Sequence, residues 1–168
     1  MICAAFDMTT EHPEFGAMRE EFLTLYADNL SRDTVLFPGM PELLASLEAR
    51  NIAWGVVTNK FERFAHPIME HLQLAHRAAV VVGGDTCPRP KPFPDPLLFA
   101  AATIGIAPMN TLYVGDDERD VQAARAAGMP VVAAGYGYLG DGAPPAKWNA
   151  DAVAQTVMEI GKWIDEAS

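Results

Sequence analysis

Short apolar runs alternate with helix-patterned stretches along most of this chain, and that alternation leaves few folds open. Ile52-Ala-Trp-Gly-Val-Val57, Ala79-Val-Val-Val82, Leu112-Tyr-Val114 and Val131-Val-Ala-Ala134 each read as a short buried strand. Helical stretches separate them, over residues 61–72, from about Pro96 to Ile104, and after Asp117 with Val121, Ala124, Ala127 and Gly128 on one face. Strands joined by single helices at short spacing run parallel, so the pattern predicts an α/β fold with a doubly wound, Rossmann-like sheet. Before the first strand, Pro13 opens a helix with Phe15, Met18, Phe22, Leu25 and Tyr26 at helical spacing, running to about Leu30. A linker over residues 33–38 leads to a second helix that buries Leu43, Leu44 and Leu47. After the last strand, residues 135–147 form a Gly/Pro-rich connection, and Ala152 to about Ile164 reads as a closing helix.

The totals narrow the partners. The 168 residues carry 12 basic and 22 acidic side chains, a net charge of −10. Repulsion from phosphates therefore argues against a nucleic-acid partner, and an anionic substrate would need a local basic group. Cys3 and Cys87 are too few for a disulfide framework or a zinc site, which fits a reducing cytoplasm. No apolar run approaches the ~20 residues of a membrane span, and no basic stretch precedes an apolar one as in a signal peptide. His12, His66, His71 and His76 show no ligand spacing and read as surface or packing residues. Trp54, Trp148 and Trp163 read as packing anchors.

Three strand ends carry polar groups that packing does not require. Gly115 closes one strand, and Asp116, Asp117 and Asp120 follow, with Asp116 at the tip and Asp120 one turn into the next helix. Acids before a helix also serve as caps, so this stretch alone does not decide between a cap and a site. Thr58 follows Val57 directly, where a hydroxyl and the next backbone N–H groups could meet an anion at a helix start. Lys91 stands between prolines in Cys87-Pro-Arg-Pro-Lys-Pro-Phe-Pro-Asp-Pro96, a stiff loop past the same sheet edge. A hydroxyl, a fixed ammonium and a carboxylate pair together suit a phosphate held with a divalent metal, Mg²⁺ being the hard cation that oxygen ligands favour.

The order of these segments, Val57-Thr-Asn-Lys60, then Gly83-Gly-Asp-Thr86 with Lys91-Pro-Phe-Pro-Asp-Pro96, then Tyr113-Val-Gly-Asp-Asp-Glu-Arg-Asp120, resembles the haloacid dehalogenase superfamily of phosphatases, and within it the phosphoglycolate phosphatase branch. The resemblance implies that Thr58 and the adjoining Asn59 bind phosphate, that Lys91 is the family's lysine, and that Asp116 holds the metal with Asp120 in support. It implies Mg²⁺, a phosphoaspartyl intermediate and a small phosphorylated metabolite such as 2-phosphoglycolate. Residues 1–34 then resemble part of the branch's helical cap, and 35–168 its core. Phe93 stands where relatives often carry His.

One element of that pattern is absent. The family's first motif, a strand ending in Asp-x-Asp-Gly-Thr that provides nucleophile and general acid, does not occur in these 168 residues. Phe6-Asp-Met-Thr-Thr10 has one acid and no glycine, whereas attack and proton transfer need two acids, so Asp7 is not assigned as nucleophile. By the resemblance the missing strand lies centrally, between the strand ending at Val57 and the one ending at Gly115. Its absence leaves two unpaired edges that invite self-association, and predicts low stability and no turnover by this polypeptide. The expectation is that Met1 is internal to a longer protein. Two other readings stand beside the phosphatase: a non-catalytic remnant that binds phosphate or metal or acts as an interaction module, and a receiver-type domain. The second would need an acceptor Asp ending a strand before Thr58, and none is present.

Overall fold

The computed structural model describes residue 6 and residues 8–167. Asp7 and Cys3 lie outside the described residues. The chain separates into two units, Met1–Thr34 and Val35–Ser168. In the first, helix α1 (Phe15–Asp28) starts two residues after Pro13. Phe22 stacks on Tyr26 one turn later, with ring centroids 6.1 Å apart.

The second unit runs α2 (Met40–Ala49), β1 (Gly55–Val57), α3 (Glu62–His71), β2 (Val80–Val82), α4 (Asp95–Ile104), β3 (Tyr113–Gly115), α5 (Glu118–Ala127), β4 (Val131–Ala134), β5 (Ala152–Ala154) and α6 (Val157–Ala167). Every strand pair is parallel. Because side chains alternate across a strand, each strand feeds two layers. Val57, Tyr113, Val131, Ala133 and Val153 join a cluster with Leu97 and Ala101 of α4 and Val121, Ala124 and Ala127 of α5. Val56 and Val81 join Leu44 and Leu47 of α2 and Met69 of α3. Val114, Val132 and Ala154 join Ile160 and Trp163 of α6. The helices therefore cover both faces, as the doubly wound reading requires.

The strands form two sheets rather than one. β1 pairs with β2, with Gly55 opposite Val80 and Val57 opposite Val82. β3, β4 and β5 form the other sheet. The break falls between β1 and β3, where the sequence reading sets the absent strand. Burial shows the same break. Val82 on β2 and Val131, Val132 and Ala133 on β4 have no exposed surface, whereas β3 is half-buried throughout and Gly55 of β1 is exposed. The strands that flank the middle of the order β2-β1 and β3-β4-β5 are thus less buried than their outer neighbours.

One element departs from expectation. Residues 152–154 are strand β5, and the closing helix starts only at Val157. The cause lies in Asp151, whose carboxylate accepts from Val131 N at 2.8 Å while its own N–H donates to Val131 O at 2.9 Å. That two-way clamp registers Ala152 beside Val132 and extends the sheet. Among the described residues, no helix is long and apolar enough to cross a membrane.

Candidate active site

Lys91 is the centre of the site. Its loop is fixed by Asn59, whose Oδ1 accepts from Lys91 N at 3.0 Å and whose Nδ2 donates to Lys91 O at 2.9 Å. The side chain then runs inward and is only 9% exposed. Its ammonium donates to Val57 O at 2.9 Å and to the Tyr113 hydroxyl at 3.0 Å, and pairs with Asp120 Oδ1 at 2.6 Å. A charge held out of water in this way requires both the ion pair and the remaining acceptors.

Asp120 is equally enclosed, with 8% of its side chain exposed. It lies on the first turn of α5 and closes a capping box. Asp117 accepts from Arg119 N, and Asp120 Oδ2 accepts from Asp117 N at 3.2 Å. The cap and the site are thus the same residues, which is why the sequence alone could not separate them. Gly115 is required here, since a Cβ at that position would overlap the Asp120 side chain.

Asp116 takes a different position. One oxygen accepts from Tyr138 N at 2.9 Å, and no hydrogen bond to the other occurs among the described residues. A Cβ at Gly137 would overlap Asp116, so the Gly135–Tyr138 turn approaches the carboxylate as closely as glycine permits. Asn59, Lys91, Asp116, Asp117, Arg119 and Asp120 line one cavity at the carboxyl ends of β1 and β3. Open α/β sheets bind ligands at this location.

The donor set can be tested against Mg²⁺. Among the described residues, no group of three or more His, Cys, Asp or Glu side chains is arranged to hold a metal ion. Mg²⁺ does not need such a cage, because it commonly takes one or two carboxylates and completes its shell with water and substrate phosphate. Asp116, which lines the cavity and has one oxygen without a hydrogen bond among the described residues, fits that role. Asp120 is engaged by Lys91 and by the capping bond, and so contributes charge and position.

Thr58 does not reach this cavity lining. Its N–H donates to Val82 O at 2.9 Å and its Oγ1 accepts from Lys60 N at 3.1 Å. Helix α3 begins only at Glu62, whose N–H is met by Asp85 Oδ1 at 2.8 Å, so Thr58 lies before the helix start and not at it. The structure therefore brings together Asn59, Lys91, Asp116 and Asp120, with Thr58 at the rim of β1.

Two participants escaped the sequence reading. Tyr113, read only as a buried strand residue, sets its hydroxyl 3.2 Å from Val57 O and 3.5 Å from Asp120 Oδ1. Burial, and then the negative charge of Asp120, push its phenol well above the ordinary tyrosine range. Arg119 grips Asp117 with two guanidinium bonds of 2.8 and 2.6 Å and holds that carboxyl down at about 2. The i, i+2 spacing across a helix start was the available signal for this pair. The Cys87 thiol is held in its neutral form. Burial first, then Asp95 and Glu62, raise its thiol.

A sequence profile of the haloacid dehalogenase-like hydrolases matches residues 2–134. The chain belongs to that family. It is 44% identical over 167 residues to an N-acetylmuramic acid 6-phosphate phosphatase of Pseudomonas putida, covering 99% of this chain and 75% of the relative. It is 49% identical over 145 residues to a phosphoglycolate phosphatase of Xanthomonas campestris pv. campestris, covering 86% of this chain and 65% of that one. Among solved structures, one described as a predicted phosphoglycolate phosphatase from Haemophilus somnus superposes with a TM-score of 0.86 at 30% identity, over 96% of this chain and 72% of the other. The haloacid dehalogenase-like fold and the phosphatase character of these relatives agree with the resemblance read from the strand-end motifs.

Proposed function

We propose that this site serves Mg²⁺-dependent hydrolysis of small phosphomonoesters. The observation that carries the reading is the Lys91 ammonium, held by Val57 O, Tyr113 and Asp120 beside the open carboxylate of Asp116. Asp116 would hold the metal, with Asp120 in support. When bound, Mg²⁺ supplies positive charge to the oxygens of a transferring phosphoryl group. Lys91 supplies a second, fixed positive charge, and Asn59 keeps the backbone of that lysine in place. Thr58 and Asn59 would meet the phosphate, Asn59 from the cavity lining and Thr58 from the residue directly after β1. The substrate class is a phosphomonoester that also carries a carboxylate. Both 2-phosphoglycolate and N-acetylmuramic acid 6-phosphate, named for the relatives, belong to it.

The chemistry needs an aspartate to attack phosphorus and an acid to protonate the leaving alcohol, with water then hydrolysing the aspartyl phosphate. The Asp-x-Asp-Gly-Thr pair that would provide both is absent from these 168 residues. The polypeptide as it stands should therefore bind metal and phosphate without turnover. That absence also favours a second reading, a non-catalytic module that only binds. Calorimetric titration of the 168-residue chain with Mg²⁺ and then orthophosphate tests the shared part. Binding is expected, and Asp116→Asn should abolish the metal step. No metal binding by the unaltered chain would overturn both readings, whereas metal-dependent release of phosphate from 2-phosphoglycolate would overturn the expectation of inactivity.

A further inference from the structure

We infer that Arg119 recognises a carboxylate on the substrate and so selects carboxylate-bearing phosphomonoesters over plain ones, an assignment that rests on the phosphatase reading above. Two basic side chains, Lys91 and Arg119, line the cavity together with Asp116, Asp117 and Asp120. An ammonium has three hydrogens to donate. Those of Lys91 already meet Val57 O at 2.9 Å, the Tyr113 hydroxyl at 3.0 Å and Asp120 Oδ1 at 2.6 Å. Lys91 therefore offers an arriving anion its charge but no uncommitted N–H. Arg119 is the opposite case. A guanidinium carries five N–H groups, of which Nε donates to Asp117 Oδ1 at 2.8 Å and Nη2 to Asp117 Oδ2 at 2.6 Å. No hydrogen bond from Nη1 occurs among the described residues. The Arg119 side chain is 58% exposed, against 9% for Lys91, so it stands at the mouth of the cavity and the ammonium at its floor.

The guanidinium is oriented before any ligand arrives. Asp117, the N-cap of α5, accepts from the Arg119 N–H at 2.9 Å as well as from its side chain, so the turn that starts the helix also aims the fork. The edge formed by Nη1 and the second hydrogen of Nη2 stays available, and two parallel N–H groups on one edge match the two oxygens of a carboxylate. The phosphoryl group already has its partners in the proposed reaction, a metal at Asp116 and the Lys91 charge. A monoester with no other anionic group leaves Arg119 without a ligand partner, whereas a carboxylate on the same molecule meets it. Arg89–Asp95 and Arg125–Asp151 are also arginine–carboxylate pairs, but they lie outside the cavity lining. Such pairs at a surface contribute little by themselves, so it is the placement of Arg119 beside Lys91 and Asp116 that carries the assignment.

The test compares 2-phosphoglycolate with ethyl phosphate, which keeps the carbon skeleton and lacks the carboxylate. Both are titrated calorimetrically into the intact chain in saturating Mg²⁺, with orthophosphate as the common reference. The unaltered chain should bind 2-phosphoglycolate about tenfold more tightly than ethyl phosphate, the scale of one charge-assisted pair. Arg119→Gln should erase that preference, while Arg119→Lys, which keeps the charge without the fork, should retain part of it. A preference that survives Arg119→Gln would put the carboxylate on the metal and overturn the assignment. So would an Arg119→Gln chain that loses orthophosphate as strongly as 2-phosphoglycolate, since the guanidinium would then serve the phosphate. Equal affinity of the unaltered chain for the two esters also overturns it and leaves the phosphatase reading standing, provided orthophosphate binds. Failure of orthophosphate to bind would instead remove the phosphatase reading and the assignment together.

Discussion

The Lys91–Asp120 pair offers the sharpest test of how this site is held. Both side chains are more than nine-tenths buried, 2.6 Å apart. Removing one partner of such a pair leaves an uncompensated charge out of water, at a cost of about 3–5 kcal/mol. For a chain of this size that corresponds to a fall in Tm of roughly 6–20 °C. Asp120→Asn is the appropriate acid variant, because the space against Gly115 tolerates no larger side chain. Lys91→Met keeps the aliphatic stem and removes the charge. The double variant removes both charges together, so its cost should be far below the sum, with a coupling of about 3 kcal/mol. Urea unfolding of the four proteins at neutral pH, with chelator present to exclude metal, measures each ΔG. Additivity within about 0.5 kcal/mol would show that the pair is not the unit that holds the site.

Two further outcomes follow from neighbouring contacts. Asp117 is held at about 2, chiefly by the Arg119 guanidinium, below the ordinary carboxylate value of about 3.9. A carboxyl depressed on folding adds stability that is complete above about pH 4 and is lost as pH falls toward 2. Arg119→Ala should return the Asp117 titration toward the ordinary range in carbon NMR, and an unmoved titration would refute the assignment. Gly137→Ala sets a Cβ against the Asp116 side chain. It should weaken Mn²⁺ binding at least severalfold while leaving the Lys91–Asp120 coupling intact, and unchanged Mn²⁺ affinity would remove Asp116 from the metal site.

The sequence was most informative where periodicity is strict. The strands at Val80–Val82 and Val131–Ala134 and the helices packed on them lie within a residue or two of expectation, because continuous apolar runs bounded by glycine and proline have few other uses. β5 was not legible. Ala152-Val-Ala154 is too short to show a period, and the clamp that makes it a strand is a tertiary contact between Asp151 and Val131. In the site, Asp116, Asp120 and Lys91 announced themselves by charge at strand ends. Tyr113 did not, since a tyrosine in an apolar run looks like any other packing residue until its hydroxyl is seen against Val57 O and Lys91. Asn59, expected to meet phosphate, lines the cavity and also ties its amide to the Lys91 backbone. No local pattern distinguishes those two uses.

The Lys91 ammonium ties three elements together. Val57 O at the end of β1 accepts from it at 2.9 Å, the Tyr113 hydroxyl of β3 lies 3.0 Å away, and Asp120 on the first turn of α5 pairs with it at 2.6 Å. The cation that the proposed reaction needs is therefore also the group that satisfies a main-chain carbonyl and a buried carboxylate, so its removal should be felt in stability as well as in anion binding.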